Sequence, residues 1–527
     1  MPGLLQSPSG TEGVGPVGGN VANSFIATVY YKQATALLDR GLYDEAEGYF
    51  REVLRIWPDH PGALNNLGTA VCRQQRIPEA EEYHRRALVL DPNDHAILNN
   101  LGNVLWEQGR LDEAVRYYRQ AIQLRPDSPK ALMNFGVTLS DLGEFDEALQ
   151  WIRESLRLQP DPPGSHVNLG NLLARQGDLD GAIACYEHAL HVCPDFAEAR
   201  RNRAYIWLTR GDFERGWPEH EWRLKCSELL LLTVNSPRWT GEDLGGRSIL
   251  LIAEQGLGDT LQFIRFAPLV KERQGQVVVA CPKPLIRVVA RSPGVDRVVD
   301  WKSAVPACDV HASLLSLPAI LGTTLANLPA EPYLSVDSGT VEKWRPIVAR
   351  ALRWRDRRET ESVKKPDRVF KIGIAWQGNR GHKGDRWRSF PLTHFAHLAE
   401  LPGVRLISLQ KSDGSEQLAE LTGRFPVADL TRRNKGHKDR RDFLDTAAVM
   451  TQLDLVVTPD SSLAHLAGSL GVRVWVPLST VGEWRWLTDR DDSPWYPTLR
   501  LFRQTTFGDW ESVFKRMADA LRQELIT

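Results

Sequence analysis

The 527-residue chain has little of several features that would assign it to a specialised class of protein. Its six cysteines are scattered singly without a Cys-x-x-Cys pair, which is typical of reduced cytosolic thiols rather than of a disulfide or zinc framework. No apolar run approaches the roughly 18 residues that a membrane-spanning helix needs. The formal net charge of −1 lacks the basic excess of a generic nucleic-acid-binding protein. We therefore predict a cytoplasmic protein of several domains, without a transmembrane segment or a nucleic-acid partner.

The first residues also lack the marks of a targeting segment. Residues 1–20 have no basic start and no long apolar core, so they do not form a secretory signal. Their glycine, proline and serine content is typical of a flexible chain, and we predict a disordered tail over residues 1–24.

What the sequence does contain is a repeat of 34 residues. Three sets of residues recur at this spacing: Pro58, Pro92, Pro126, Pro160 and Pro194; Gly68, Gly102, Gly136 and Gly170; and Ala46, Ala80, Ala114, Ala148 and Ala182. Glycine and alanine let two helices approach closely, and proline opens the turn to the next pair. The pattern resembles the tetratricopeptide repeat, with five regular copies and a sixth, degraded copy as a boundary repeat. It implies an α-α superhelix over residues 25–235.

An asparagine recurs at the same spacing, although packing of the repeats does not require one. The row comprises Asn66, Asn100, Asn134, Asn168 and Asn202. A side-chain amide offers both a donor and an acceptor, so it can pair with any peptide unit. The row resembles the asparagine ladder on the inner face of tetratricopeptide arrays, and we predict that the repeat groove binds a peptide or protein. Alternatively, these amides satisfy backbone groups between neighbouring repeats.

The second half of the chain changes pattern. Apolar runs such as SILLIA and QVVVAC alternate with helical segments over residues 246–340, and a second series from FKIGIAWQG to LRLFRQ fills residues 369–527. This alternation predicts two parallel sheets covered by helices. Residues 341–368 are charged and lack strand signals, so we predict a bridging helix and linker. Two facing domains would leave a cleft at the carboxyl ends of the strands, where such sheets bind ligands.

One candidate binding segment is VVTPDSSLAHLAGSLG. Asp460, Ser461 and Ser462 follow a buried strand and open a helix, and neither serine lies in the Gly-x-Ser-x-Gly elbow of a hydrolase. A helix N-terminus at a strand end presents unpaired N–H groups that suit an anion. We predict that Asp460 caps the helix and that the serines and His465 contact a diphosphate. The alternative is an ordinary cap with a core histidine.

A second candidate segment is EQGLGDT, in which glycines permit a tight turn after the first strand and leave Asp259 at a helix start. A carboxylate there could take the proton from an acceptor hydroxyl as that hydroxyl attacks a sugar. The alternative role is helix N-capping, for which aspartate is well suited.

Polar residues also follow two other strands. The loop NRGHKGDRWRSF contains Lys383, Arg386 and Arg388, which would stabilise the charge of a leaving diphosphate, unless this is a solvated surface loop. Gln410 and Lys411 follow the next strand, where a nucleoside would lie. No histidine, cysteine and carboxylate cluster has convincing metal-ligand spacing, so no metal is predicted.

The GLGDTLQFIRFAPL segment and the Asp-Ser-x-x-x-His segment together resemble glycosyltransferase family 9, the ADP-heptose:lipopolysaccharide heptosyltransferase-like enzymes. The resemblance covers about residues 246–527. It implies a GT-B fold of two Rossmann-like domains, a nucleotide-diphospho-sugar donor, no cofactor and no metal. It also implies that Asp259 is the base and that Asp460, Ser461 and His465 hold the donor diphosphate.

The whole chain is thus predicted to be an α plus α/β multidomain protein. Its predicted function is transfer of a sugar from a nucleotide-diphospho-sugar to an acceptor, with the repeats recruiting a peptide or protein. The alternative is a tetratricopeptide interaction scaffold whose glycosyltransferase-like domain is degenerate and non-catalytic. Ser462 stands where the family has glycine, which favours the alternative slightly.

Overall fold

The computed structural model describes residues 21–226, 232, 234–352, 369–411, 413–421, 424–430 and 442–526. The predicted tail up to residue 20 and the later part of the predicted linker, residues 353–368, lie outside the described residues. The chain divides into two compact units, Met1–Ala199 and Arg200–Thr527. Within the described part of the chain, no helix is both long and apolar enough to cross a membrane.

The first unit consists of helices that pack in antiparallel pairs. They are α1 (Val21–Asp39), α2 (Tyr43–Ile56), α3 (Pro61–Arg73), α4 (Ile77–Leu90), α5 (His95–Glu107), α6 (Leu111–Leu124), α7 (Pro129–Leu142), α8 (Phe145–Leu158), α9 (Pro163–Arg175) and α10 (Leu179–Val192). Residues 21–24, predicted to be part of the tail, are helical because α1 begins at Val21. The predicted helical repeat architecture is confirmed.

The recurring glycines lie where the two helices of a pair touch. A Cβ atom at Gly102 would lie 2.6 Å from the ring of Tyr118, and one at Gly170 would lie 2.6 Å from the ring of Tyr186. Both distances are far below van der Waals contact, so any larger residue would push the paired helices apart. The 34-residue recurrence of glycine therefore reflects direct contact between helices.

The last helical hairpin consists of α11 (Ala197–Thr209) and α12 (Phe213–His220), and a 3-10 helix (Glu221–Lys225) follows it. All but the first three residues of this hairpin belong to the second unit. The ring centroid of Trp217 lies 5.4 Å from that of Trp484 and 6.2 Å from that of Phe263. The predicted boundary repeat is therefore packed into the core of the α/β part of the chain.

The first α/β half is a parallel sheet of β1 (Ser248–Ile252), β2 (Gln276–Cys281), β3 (Arg297–Asp300) and β4 (Val310–Ser313), in the order β3-β2-β1-β4. Its helices are α13 (Leu257–Phe263), α14 (Ala267–Lys271), α15 (Ile286–Val289) and α16 (Leu317–Ile320), with 3-10 helices at Ile264–Phe266, Lys283–Leu285 and Leu314–Ser316. The predicted bridging helix is α17 (Ser338–Leu352).

The second α/β half is a larger parallel sheet, in the order β10-β9-β8-β5-β6-β7. Its strands are β5 (Phe370–Ile374), β6 (Val404–Ser408), β7 (Val427–Asp429), β8 (Leu455–Val457), β9 (Val474–Leu478) and β10 (Leu499–Arg503). Its helices are α18 (Asp385–Arg388), α19 (Ala396–Ala399), α20 (Gln417–Glu420), α21 (Phe443–Met450), α22 (Ser462–Ser469) and α23 (Trp510–Ile526), with 3-10 helices at Leu392–Phe395 and Trp484–Trp486. The bridging helix α17 packs on this half, where the Trp344 indole donates to Asp445 Oδ1 at 3.0 Å.

Candidate functional site

The two segments singled out from the sequence meet in the structure. Helix α13 follows β1 and helix α22 follows β8, and the two helices pack directly against each other. A Cβ atom at Gly258 would lie 2.8 Å from the imidazole of His465 and 3.5 Å from the Cα atom of Ser462. Only a glycine allows this approach. We call the region formed by residues 256–262, 460–465 and 483–486 the junction.

Asp259 lies in the junction with both carboxylate oxygens engaged. Its Oδ2 accepts the backbone N–H of Gly256 at 2.8 Å, which is the capping interaction considered from the sequence. Its Oδ1 accepts from the guanidinium of Arg485, a residue 226 positions away that the sequence analysis did not single out. The role of Asp259 as a base stays a prediction, and the structure gives the carboxylate a capping bond and an ion pair.

Arg485 connects the two α/β halves. Its side chain pairs with Glu483 and Asp259, donates through Nε to Gln262 Oε1 at 2.7 Å, and lies over the ring of Trp484 at 4.3 Å. Burial by itself would lower the pKa of this guanidinium, but the neighbouring carboxylates outweigh burial and raise that pKa. Arg485 therefore remains charged and holds α13 against the second half.

The N-terminus of α22 is capped by Ser461, not by Asp460 as predicted. Ser461 Oγ accepts the backbone N–H of Leu463 at 3.3 Å and lies 3.0 Å from Thr458 Oγ1. Serine takes the position because its short hydroxyl reaches the first free N–H groups of the helix. Ser462 is the first residue of the helix itself.

Asp460, which is partly buried, immediately precedes this cap. Burial raises the pKa of Asp460, against the opposing positive charges of Arg388 and Arg485. Burial likewise raises the pKa of Glu483, despite its ion pair with Arg485. The junction thus combines carboxylates and guanidinium groups, and in the described residues no group of three or more histidine, cysteine or acidic side chains is arranged to hold a metal ion.

His465 is a buried residue with a fixed hydrogen bond. Its Nδ1 lies 2.9 Å from the hydroxyl of Tyr496, and its ring stacks on Trp486 with a centroid distance of 5.4 Å. Burial, reinforced by the charge of Arg485, holds the pKa of His465 well below its usual range. The imidazole is therefore neutral, and it fits the core-histidine alternative; its contact with a diphosphate stays a prediction.

Arg388, at the end of α18, is the member of the predicted basic loop whose charge acts on the junction. It pairs with Asp385 at 3.4 Å. Its positive charge acts to lower the pKa of Asp460, against the larger effect of burial. Lys383 and Arg386 are exposed. The same loop contains His382, which was not singled out from the sequence. Desolvation and the charge of Arg388 lower the pKa of His382, and the charges of Asp460 and Asp259 act in the opposite direction.

Gln410, which was predicted to contact a nucleoside, uses its side-chain amide in hydrogen bonds within the protein. Its Oε1 accepts the backbone N–H of Trp376 at 3.1 Å, and its Nε2 donates to the carbonyls of Gln377 at 2.8 Å and Asp413 at 2.6 Å. The buried amide ties together the ends of β5 and β6, and its contact with a nucleoside stays a prediction. Lys411 is exposed and donates to the carbonyl of Asp442 at 3.1 Å.

The asparagine row in the first unit forms side-chain hydrogen bonds within the array of repeats. The amide of Asn100 donates to Asn65 Oδ1 at 3.2 Å, and that of Asn134 donates to Asn99 Oδ1 at 3.0 Å. Each bond joins the first helix of one pair to the first helix of the preceding pair. Asn100 and Asn134 therefore form side-chain hydrogen bonds between neighbouring repeats.

Three amides of the row are almost fully buried. Asn66, which donates to the Tyr31 hydroxyl at 3.1 Å, and Asn100 are each 1% exposed, and Asn134 is 3% exposed. Their acceptors come from within the array, and binding of a peptide by these three residues stays a prediction. Asn168 is only partly buried, and Asn202, whose Oδ1 accepts from Arg201 at 3.2 Å, belongs to the second unit.

One curated protein is similar to more than half of the chain. The chain is 26% identical over 342 residues to Protein FlbA of Caulobacter vibrioides, a match that covers 61% of this chain and 54% of FlbA. The matched region therefore spans about half the length of that relative.

Two solved structures are similar to part of the chain. PilF of Pseudomonas aeruginosa is 22% identical, with a TM-score of 0.33, over 39% of this chain and 91% of PilF. TTC0263, a TPR protein of Thermus thermophilus, is 24% identical, with a TM-score of 0.32, over 34% of this chain and 99% of TTC0263.

Family models identify the repeats themselves. Residues 25–92 and 94–161 match the tetratricopeptide repeat model, and residues 170–209 match a further TPR repeat model. These ranges coincide with the helical pairs of the first unit and with α11. To about residue 210, the N-terminal part of the chain is therefore an array of tetratricopeptide repeats, a scaffold for protein interaction.

Proposed function

We propose that the α/β part of the chain is a glycosyltransferase of GT-B fold that uses a nucleotide-diphospho-sugar, and that the repeats recruit its peptide or protein partner. The observation that carries the proposal is the convergence of the two candidate motifs. Asp259 comes from one half and Ser461 from the other, yet both lie where α13 and α22 meet, after the carboxyl ends of β1 and β8. Ligands of open α/β sheets bind at such strand ends.

The chemistry of the junction matches the two needs of sugar transfer. An acceptor hydroxyl must lose a proton as it attacks, and Asp259 is the carboxylate that would accept this proton. The leaving diphosphate gathers negative charge, which the N–H groups at the start of α22 and the guanidinium of Arg388 would stabilise. Buried, neutral His465 would align α22 rather than carry charge.

A second candidate function is a scaffold whose α/β part binds nucleotide sugars or diphosphates without turnover. Two observations favour it. Both oxygens of Asp259 are engaged, by Gly256 and by Arg485, and Ser462 replaces the family glycine at the start of α22. In this case the junction would be a binding element, and the repeats would supply the activity of the protein through its partners.

Binding of UDP-, GDP-, ADP- and dTDP-sugars to the full-length protein separates these candidates. We would first find the donor by thermal shift and calorimetry, and then follow sugar transfer to candidate partners by mass spectrometry. The decisive variant is Asp259→Asn, which should still bind the donor and lower turnover about 100-fold or more.

The matched control is Asp337→Asn. Asp337 also accepts a helix N–H, from Thr340 at 2.9 Å, and also pairs with an arginine, Arg291, at 2.8 Å, but it lies outside the junction. Normal turnover in this control with loss in Asp259→Asn supports the transferase. Donor binding without any turnover in the unmodified protein supports the scaffold, and binding of none of the four donors contradicts both.

A further inference from the structure

Arg485 pairs with the carboxylate of Asp259, which the proposed transferase needs as its base. Of the two oxygens of Asp259, one is bound to the Gly256 N–H as part of the helix start, and the other is bound to Arg485. A guanidinium partner stabilises the charged carboxylate and takes up its lone pairs. In this arrangement Asp259 is poorly placed to receive a proton from an acceptor hydroxyl.

The contacts of Arg485 also show how it could be redirected. Its guanidinium divides its donors among Glu483, Asp259 and Gln262, so no single partner holds all of them. Its charge acts on Asp460, at the start of α22. Arginine binds phosphate oxygens through two parallel N–H groups, a geometry that a diphosphate at this helix start would offer.

One buried donor at the same place points to a ligand with acceptor atoms. The side chain of Gln262 is fully buried, and its Oε1 is fixed by Arg485 Nε at 2.7 Å. Its Nε2 has no hydrogen-bond partner among the described residues. Buried donors in native proteins are normally paired, so this unpaired N–H beside Arg485 fits a site that is completed by an anion.

We infer that Arg485 makes the activity of Asp259 depend on the donor: without donor it pairs with Asp259, and the donor diphosphate draws it away and frees a carboxylate oxygen. This inference rests on the proposed function. In the transfer step, the acceptor oxygen forms a bond to the anomeric carbon and its proton passes to Asp259. The bond from that carbon to the diphosphate breaks, and the electron pair leaves with the diphosphate, which Arg485 helps to neutralise.

The position of Arg485 over Trp484 supplies a direct readout. In full-length protein labelled with 5-fluorotryptophan, the Trp484 signal is assigned by its loss in Trp484→Phe, and inorganic pyrophosphate is the probe, with sulfate at equal ionic strength as the control. Pyrophosphate should move the Trp484 signal saturably, because the guanidinium leaves the ring. Asp259→Asn should tighten pyrophosphate binding about tenfold, since the competing ion pair is gone.

Removal of a nearby negative charge would also tighten anion binding, so the gain must be shown to need Arg485. In an Arg485→Gln background, Asp259→Asn should no longer tighten pyrophosphate binding if the two residues compete as inferred. A tenfold gain that persists in this background would show a simple charge effect and overturn the inference. Should Arg485→Gln fail to fold, the inference is decided by whether pyrophosphate moves the Trp484 signal of the unmodified protein.

The outcomes separate this inference from the proposed function. Saturable pyrophosphate binding with an unmoved Trp484 signal overturns the role of Arg485 and leaves the diphosphate site standing. Absence of saturable binding in both the unmodified protein and Asp259→Asn overturns both.

Discussion

The buried ion pair between Arg223 and Glu254 should decide whether the last helical hairpin and the α/β part of the chain fold together. Arg223 comes from the 3-10 helix after α12, is 1% exposed, and contacts Glu254 at 2.5 Å and Ser316 at 2.9 Å. Glu254 follows β1 and is also 1% exposed. Burial raises the pKa of Glu254, and Arg223 opposes that shift.

Replacing Arg223 with methionine leaves the Glu254 carboxyl group buried without its counter-charge. Breaking a buried pair from one side costs about 3–5 kcal/mol, whereas replacing both partners with neutral residues of similar volume is close to neutral. We therefore expect Arg223→Met to lower the free energy of unfolding of the second unit by that amount. The double variant Arg223→Met, Glu254→Gln should recover most of the loss.

Urea denaturation followed by tryptophan fluorescence measures this effect in the intact chain. All but three of the 17 tryptophans, namely Trp57, Trp106 and Trp151, lie beyond Ala199, so fluorescence reports mainly on the second unit. The matched control is Arg522→Met, which breaks an exposed pair with Asp519 of 2.6 Å and should change stability by less than about 1 kcal/mol. A loss below about 1 kcal/mol for Arg223→Met, or no recovery in the double variant, would refute the reasoning.

Three further predictions concern the repeats and the junction. Asn134→Ala removes the bond to Asn99 and should destabilise the repeats by about 1–3 kcal/mol in urea denaturation followed by circular dichroism; unchanged stability would contradict a role between repeats. Gly258→Ala places a Cβ 2.8 Å from His465 and should lower the free energy of unfolding of the second unit by about 1–3 kcal/mol, measured by tryptophan fluorescence. Unchanged stability would show that the two helices can separate freely. Burial lowers the pKa of His84 to about 3. As the pH falls below 6.5, His84 therefore binds a proton in the unfolded chain but not in the folded one. The free energy of unfolding of the repeats should be lower by about 2 kcal/mol at pH 5 than at neutral pH. The variant His84→Phe should lose this pH dependence.

The repeats could be predicted from the sequence because each helical pair is local and its packing residues recur. The same recurrence did not predict the hydrogen-bond partners of the asparagine row. A period shows which residues are equivalent, but it does not show which groups face them. The acceptors for Asn100 and Asn134 are Asn65 and Asn99, each one position before a member of the row in the preceding repeat. In the sequence, the doubled asparagine of the two LNNLG segments is the feature that identifies these acceptors.

The strands of the α/β part could be predicted because buried parallel strands are continuous apolar runs. Strand β7, which the sequence analysis did not predict, spans only Val427–Asp429 at the edge of its sheet and is half-buried along its length. A short, half-buried edge strand has too few apolar residues to be distinguished from a loop.

At the candidate site, the helix starts could be predicted and their partners could not. Glycine, aspartate and serine after a strand identify Asp259 and Ser461 locally. The pairing of Arg485 with Asp259 joins residues 226 positions apart, and nothing within either segment specifies it. The partners of Gln410 could not be predicted for the same reason, since Trp376 and Gln377 follow another strand.

The packing of the last hairpin restricts how such a chain can change its length through duplication. Repeat arrays gain or lose whole copies, because each copy contacts only its neighbours. Here the final copy contributes Trp217 and Arg223 to the α/β core, so its deletion would expose indole surface and leave Glu254 without its counter-charge. Copies can therefore be inserted or removed only upstream of α11. Relatives with shorter or longer arrays should differ in the partner they reach while the junction stays the same.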